Sequence, residues 1–474
     1  MIDSYRVVST TLYRHEILTR MPFRYGIATM TRVPHAFLEV EIEGKAGRAR
    51  GLSADHLPPK WFTKDPTAAI SDEIATMRAV IVHAATLVQG VRFPHVFALW
   101  RDLYAAQDRW AVTQGHPPLL AHFGTSMVER AVIDAVCRLE GMTFAGAVHT
   151  SRLGIALHEI DPALPADWVR LLPARPLAEV VARHTVGLAD EILESDLAEA
   201  GTAINDGLPQ SLEATIRAYG LLEYKIKFGG QWEQDSARLA RVFACLAENA
   251  QGDWRFSLDG NESFPDAESF RAYWARLSEM PWLRPHLGRL LFVEQPVNRM
   301  AALTAGADWR SWTDAPPITI DESDGSLNDV PKSLALGYAG STHKNCKGVI
   351  KGLLNRCRIT MAASAGRKML MSGEDLSNIG PVALLQDLAV QAVLGNRSVE
   401  RNGHHYFRGL TMWPETLQGA MRQSHPDLYD EERGVCALRI KGGLLQLGSV
   451  NAAPFGYGPM IEPRTFCAQA EAIG

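Results

Sequence analysis

Residues 222–230 read LEYKIKFGG, and the lysines Lys225 and Lys227 in it govern how the rest of the chain is read. Residues two apart on a β-strand point to the same face. A short aromatic and apolar strand therefore sends two ammonium groups in one direction. On an edge strand that face is simply solvent. In a buried strand it has to be an interior that needs positive charge.

The stretches around it favour the second alternative. Short apolar runs alternate with helix-like segments: EVVARHTVGLA, LEYKIKF, WRFSLDG, LLFVEQP, PITIDES, STHKNCKG and KMLMSGE, with sequences such as DSARLARVFACLAENA and VIKGLLNRCRITMAASAG between them. Strands that alternate with helices build βαβ units and a parallel sheet. Lys227, Asp259, Glu294, Asp321 and Lys347 follow one another at 32, 35, 27 and 26 residues. One strand, one helix and their loops take about 30 residues. Each of these charged residues thus closes an apolar strand in successive units, and the C-terminal strand ends are where a β/α barrel builds its active site.

The bulk composition is that of a soluble globular chain. Of its 474 residues, 46% are hydrophobic and 21% charged, with a formal net charge of −5. The length implies more than one domain. An acidic balance argues against nucleic acid or an anionic membrane as the main partner. The six cysteines form no C-x-x-C pair, which fits reduced thiols in a cytoplasmic protein rather than a zinc knuckle. The N-terminus lacks the pattern of a secretory leader, and no apolar run is long enough to span a membrane.

Before the barrel-like rhythm, YRVVSTTLYRHEIL and HAFLEVEIEG read as strands, the second with half-buried alternation. TRMPFRYGIATMTRVP between them reads as a loop, residues 66–110 as helical, and SMVERAVIDAVCRLEG as an amphipathic helix that opens the barrel. In the tail, GVCALRIKGGLLQLG reads as a hairpin, and the tail is expected to return to the N-terminal segment.

Asp259, Glu294 and Asp321 end three adjacent strands and converge on one point. Crowded carboxylates raise each other's pKa unless a cation intervenes. Magnesium is the hard, oxygen-preferring choice; no histidine or cysteine cluster accompanies the three to favour zinc. If YKIKF is strand two, STHKNCK is strand six, and in an eight-membered barrel these face each other. Lys227 and Lys347 would approach a substrate from opposite sides, with pKa values lowered by the cation and by each other. Lys344 and Lys351 are expected to face solvent.

These residues resemble the enolase superfamily, in its muconate-lactonizing-enzyme-like branch within the mandelate racemase/muconate lactonizing enzyme family. The K-x-K pattern appears as Lys225-Ile226-Lys227, the metal ligands match Asp259, Glu294 and Asp321, and the opposing lysine matches Lys347 in NCKG, where Cys346 replaces a usual apolar residue. The resemblance covers most of the chain. It implies an α/β fold, a modified (β/α)7β TIM-type barrel over residues 116–410. The α+β capping domain is implied at residues 1–115, and 411–474 as a segment returning to it. It further implies a Mg²⁺-dependent isomerase or lyase that removes the proton α to a small-molecule carboxylate through an enediolate, as a racemase, epimerase or cycloisomerase with two opposed lysines. An acid-sugar or other carboxylate dehydratase of the same superfamily is the alternative within the fold. A non-catalytic metal-stabilised binding protein is the alternative outside enzymology. A homo-oligomer is also implied.

Other candidates are less determined. Lys225 is implied as an electrostatic partner of the substrate carboxylate. Glu374 either bonds that carboxylate or caps the following helix. Asn261 either touches the metal or its water, or is turn chemistry. Glu322 supports Asp321 or a lysine. His404 and His405 bind substrate at the mouth, or one packs and the other lies at the surface. Arg24 and Tyr25 reach the distal part of the substrate, or pack their loop. Residues 140–183 make a longer approach to the first barrel strand than the family pattern leads one to expect.

Overall fold

The YKIKF stretch is the second strand of a closed parallel barrel. The computed structural model describes residues 4–473. Three long antiparallel strands come first: β1 (Tyr5–Tyr25), β2 (Ala28–Gly44) and β3 (Gly47–His56). Three helices follow: α1 (Ile70–Val88), α2 (Val96–Gln114) and α3 (Pro118–Leu139). The barrel strands are β4 (Glu179–Val186), β5 (Glu223–Lys227), β6 (Arg255–Asp259), β7 (Leu290–Glu294), β8 (Ile318–Ile320), β9 (Gly340–His343), β10 (Leu370–Gly373) and β11 (Ser398–Arg401). Neighbours pair in parallel in chain order, and β11 closes the ring on β4. The expected TIM-type barrel with an α+β cap is what forms.

Register explains the lysine pair. On β5, Glu223, Lys225 and Lys227 share one face, and Tyr224 and Ile226 the other. Tyr224 and Ile226 are buried outward, under the helices, so the lysine face is the barrel interior. Lys225 is 1% exposed and Lys227 5%. Lys227 pairs with Asp259 and Asp259 with Glu294, so three charged residues stand side by side at the same height. Asp321 follows the last residue of β8.

The cap differs from expectation in two places. TRMPFRYGIATMTRVP is not a loop: β1 and β2 stay paired out to Tyr25 and Ala28, with an irregularity between Leu18 and Phe23. Phe23, Tyr25, Ala28 and Met30 are buried in alternation while Arg24 and Thr29 are exposed, as on a two-faced ribbon. Helix α3 is not amphipathic. Every residue from Leu119 to Cys137 is buried, because the helix is wedged between the cap sheet, α1 and the barrel. Gly51 on β3 allows this: a Cβ there would lie 2.2 Å from the Ala131 carbonyl oxygen.

Two further corrections concern the C-terminal region. GVCALRIKGGLLQLG does not fold as one hairpin. Ala437–Leu438 pairs with Tyr429–Asp430, and Leu444–Gln446 adds antiparallel to β4. Gln469–Ile473 then pairs antiparallel with β1, Thr10 opposite Ile473. Residues 140–183 form a short helix, two single turns and irregular chain before entering β4 at Glu179, anchored by the buried Trp168, whose indole N–H donates to the Ile155 carbonyl at 3.0 Å. Among the described residues all six cysteines are free thiols, and no helix is long and apolar enough to cross a membrane.

Candidate active site

The β1–β2 hairpin arches over the C-terminal end of the barrel and is bolted there. Phe23 stacks on Tyr406 with ring centroids 4.0 Å apart, and the Tyr25 hydroxyl donates to the Pro59 carbonyl at 2.9 Å. Arg20 donates to Asp206 at 2.6 Å and to the His405 carbonyl at 2.9 Å. Beneath the hairpin lies a small cavity of about 40 Å³, room for a few waters. Phe23, Tyr25 and Trp61 form its apolar roof. Lys225, Lys227, Asp259, Asn261, Lys344, Asp375, Glu400 and Asn402 line the rest.

Lys225 sits at the centre of the carboxylates. Its Nζ donates to Glu294 and Glu374 at 2.8 Å and to Glu400 at 3.0 Å, and lies 3.1 Å from Asp259. An ammonium has three protons; here it faces four carboxylates. Burial opposes its charge, but these four neighbours override that and hold its pKa well above the ordinary lysine range.

Lys227 donates to Asp259 Oδ2 at 2.9 Å and to Asn261 Oδ1 at 2.6 Å. Asn261 is itself fixed: its backbone N–H donates to Asp259 Oδ1 at 2.9 Å, and its amide nitrogen to Glu322 Oε1 at 3.3 Å. Glu322 is pushed up to about 7 by burial and then by Asp321.

On the far side of the barrel, the lysine at the mouth is Lys344. It is 5% exposed rather than solvent-facing. It donates to Asp321 Oδ2 at 2.6 Å, and its Nζ lies 4.6 Å from the Trp61 ring centroid, a cation–π contact. Burial opposes its charge and Asp321 overrides this, so its pKa stands above the ordinary range. Lys347 sits in the turn after β9, below the mouth. Its Nζ is spent on the Asp321 carbonyl (2.7 Å), Asp321 Oδ1 (2.8 Å) and Thr342 Oγ1 (3.1 Å). Lys351, also expected at solvent, is buried against Asp324, with Nζ–Oδ1 at 2.8 Å.

The remaining candidates separate cleanly. Glu374 caps no helix; it is fully buried below the cavity and accepts from Arg183, Ser372 and Lys225. His404 and His405 do not line the mouth: His405 is buried and His404 half-buried. They pack around His184, with His184 Nδ1 and His404 Nε2 3.2 Å apart, and burial followed by that neighbour holds both well below the usual histidine range. Tyr25 lines the cavity; Arg24 faces an adjoining one. Glu400, Lys344, Trp61 and Asp375 were not singled out as site residues. Lys344 had a signal: it directly follows the strand, as Asp321 directly follows β8. Trp61 lies in a cap loop and had none.

Six buried carboxylates set the charge of the site. Asp259, Glu294, Asp321, Glu322, Glu374 and Glu400 outnumber Lys225, Lys227, Lys344, Lys347 and Arg183, and all are buried. Burial, then Asp259 and Glu374, push Glu294 well above the carboxylate range. Its Oε2 lies 2.8 Å from Lys225 Nζ yet accepts no well-aligned hydrogen bond among the described residues. The cluster is short of positive charge, and its donors are oxygens. It fits a hard dication held by Asp259, Glu294 and Asp321, although no cluster of His, Cys, Asp and Glu among the described residues is already drawn together at metal-ligating geometry. Asp259 and Asp321 are instead held low by lysines that overcome burial.

No protein-family model and no curated protein matches the sequence. Solved structures do match in shape. A mandelate racemase/muconate lactonizing protein from Herpetosiphon aurantiacus superposes with a TM-score of 0.57 at 19% identity, covering 94% of this chain and 97% of its own. Dipeptide epimerase from Enterococcus faecalis V583, complexed with Mg and the dipeptide L-Leu-L-Tyr, gives 0.58 at 17% identity, with 95% and 99% covered. The 2-chloromuconate cycloisomerase of Rhodococcus opacus 1CP gives 0.58 at 15%, with 98% and 100% covered. The chain is a TIM-type barrel with an α+β cap. More narrowly, its fold is that of the mandelate racemase/muconate lactonizing enzyme-like proteins.

Proposed function

We propose that this chain is an enzyme of the enolase superfamily that removes the proton α to the carboxylate of a small-molecule acid, with Mg²⁺ as its cofactor. The observation that carries the reading is the placement of Lys227 and Lys344. They end β5 and follow β9, strands four apart in the ring, and both line the mouth cavity with Asp259 and Asp321 between them. Lys344 takes the role that the spacing of the sequence assigned to Lys347.

Asp259, Glu294 and Asp321 are the residues that would hold the metal. A dication bound there supplies Lewis-acid stabilisation of the negative charge that develops on the substrate carboxylate. The chain does the rest. Lys344, held charged by Asp321 and steadied by the Trp61 ring, is cast as the proton donor. Lys227, bonded to one carboxylate and one neutral amide, is cast as the base. Two such groups on opposite faces suit racemisation, epimerisation or cycloisomerisation. The hairpin roof of Phe23 and Tyr25 excludes water from the carbon acid. The occurrence of the fold in a dipeptide epimerase and a cycloisomerase supports this reading.

The test is α-proton exchange in heavy water with a panel of carboxylic acids and Mg²⁺. Exchange in the wild type that disappears in Lys227→Met, together with net racemisation or cycloisomerisation that disappears in Lys344→Met, supports the assignment. Exchange that survives loss of Lys227, or net turnover that survives loss of Lys344, ends it.

A further inference from the structure

Beside the mouth lies a second and larger cavity, of about 350 Å³, between the hairpin tip, the loop after β5 and the turn after β6. Asn261 lines both cavities, and its side chain holds Lys227. Three basic residues face the larger one: Arg24 from the hairpin, Lys64 from the loop after β3, and Arg238 from α4 (Trp232–Asn249). Their positive charge is only partly used. Arg24 makes no side-chain hydrogen bond or ion pair among the described residues. Arg238 donates through Nη2 to the Gly187 and Asp190 carbonyls, at 2.6 and 2.7 Å. Its Nε and Nη1 make no hydrogen bond among the described residues, although the Asp190 carboxylate faces the guanidinium. Lys64 donates to the Asn261 carbonyl.

The two acids in the same wall offset at most one of these three cations, since Asp235 keeps its charge but Glu262 already has Arg299. Asp235 is tied to the Gly229 N–H at 2.8 Å and to the Tyr273 hydroxyl at 2.7 Å. Glu262 is 3.4 Å from Lys64 but is gripped by Arg299 at 2.7 Å. What remains is a basic, roomy compartment next to the proposed base, with guanidinium donors free to take a carboxylate or phosphate in a forked pair.

We infer that this compartment is a subsite for a second anionic group, so that the substrate carries two: one carboxylate in the mouth and a distal carboxylate or phosphate against Arg24 and Arg238. The inference rests on the mouth being the carboxylate site proposed above. It adds a substrate class, acids with two anionic ends.

The test reads binding, not turnover. Titration calorimetry with Mg²⁺ present would compare α,ω-dicarboxylates of four to eight carbons with their own monoamides, and with ω-phosphono acids of the same lengths. At least one diacid should bind ten times or more tighter than its monoamide. That preference should fall below threefold in Arg24→Gln and in Arg238→Gln, with the monoamide unaffected. Arg24 stands exposed at the hairpin tip, so its replacement does not threaten the fold. Tighter binding of the phosphono acids would identify a phosphate-bearing substrate, tighter binding of the diacids a dicarboxylate. Equal binding of diacid and monoamide at every length, no binding by any acid, or a preference that survives in both variants overturns the subsite. Proton exchange measured on the same acids separates the two readings: a preference without exchange fails the proposed reaction and leaves the subsite standing.

Discussion

Lys344 Nζ lies 2.6 Å from Asp321 Oδ2, while Lys347, three residues on, holds the other oxygen of the same carboxylate at 2.8 Å from below. One lysine opens on the cavity and one does not. The two substitutions should therefore fail differently. Lys344→Met is expected to cut net racemisation or cycloisomerisation at least a hundredfold in protein that is still folded, the scale of a lost general acid or base. Lys347→Met breaks a buried ion pair and should cost on the order of 3 kcal/mol of stability, with residual exchange retained by the folded fraction. The reverse pattern would return the role to Lys347.

The charge deficit around Glu294 makes the free protein a good acceptor for a dication. Mg²⁺ at a hundred times its dissociation constant should stabilise the fold by about 2.7 kcal/mol, seen as a raised denaturation midpoint. Asp259→Asn and Glu294→Gln should each remove that increment, and chelation should reverse it in the wild type. A midpoint indifferent to Mg²⁺, or equally responsive in both variants, would refute the ligand assignment.

Much of the barrel was legible because each strand carried its own local evidence: an apolar run, a helix-length gap and a charge at the end. Lys225, Lys227, Asp259, Glu294 and Asp321 all lie where that pattern puts them, and the structure gathers them into one buried cluster. The pattern put Lys347 rather than Lys344 at the cavity because both fall near the end of STHKNCKG, and only the point where the strand stops separates them. Trp61, and the docking of Phe23 on Tyr406, were illegible for another reason. They depend on how the cap sits on the barrel, a contact between residues hundreds apart in sequence. The hairpin was misread as a loop because its buried side chains are interrupted by Arg24, Gly26 and Ile27. The outward face of α3 was misread because its apolar and polar residues are both buried, the polar ones by specific bonds such as Arg130 to Asp55 at 2.5 Å.

Arg20 is a polar bolt between the hairpin and the barrel. Its guanidinium reaches Asp206 and the carbonyls of Leu208, Pro209 and His405. Arg20→Met leaves all four acceptors without that donor. The hairpin tip should then open more often, and the amides of Phe23–Met30 should exchange with heavy water at least ten times faster. KM should rise while kcat stays within a few-fold. Unchanged exchange at the tip would mean that the Phe23–Tyr406 stack alone holds the roof shut.

Glu129 offers a test of the joint between α3 and the barrel. Its carboxylate is fully buried and accepts the Val349 and Ile350 N–H groups, at 3.0 and 2.6 Å, at the start of helix α5 (Val349–Ser364). Burial pushes its pKa up to about 7 even though those two N–H groups pull it down. The folded state therefore holds a proton that the unfolded chain releases near the ordinary glutamate value, about 4.3. Between those two values the native state binds more protons than the unfolded one, so this group's contribution to stability falls as pH rises. The fall should be on the order of 3 kcal/mol across the window. Glu129→Gln cannot titrate, and whatever it costs at pH 5 its stability relative to the wild type should improve by that amount by pH 8. Denaturant melts of both proteins at half-unit steps would show it, and parallel curves would mean that Glu129 stays ionised throughout.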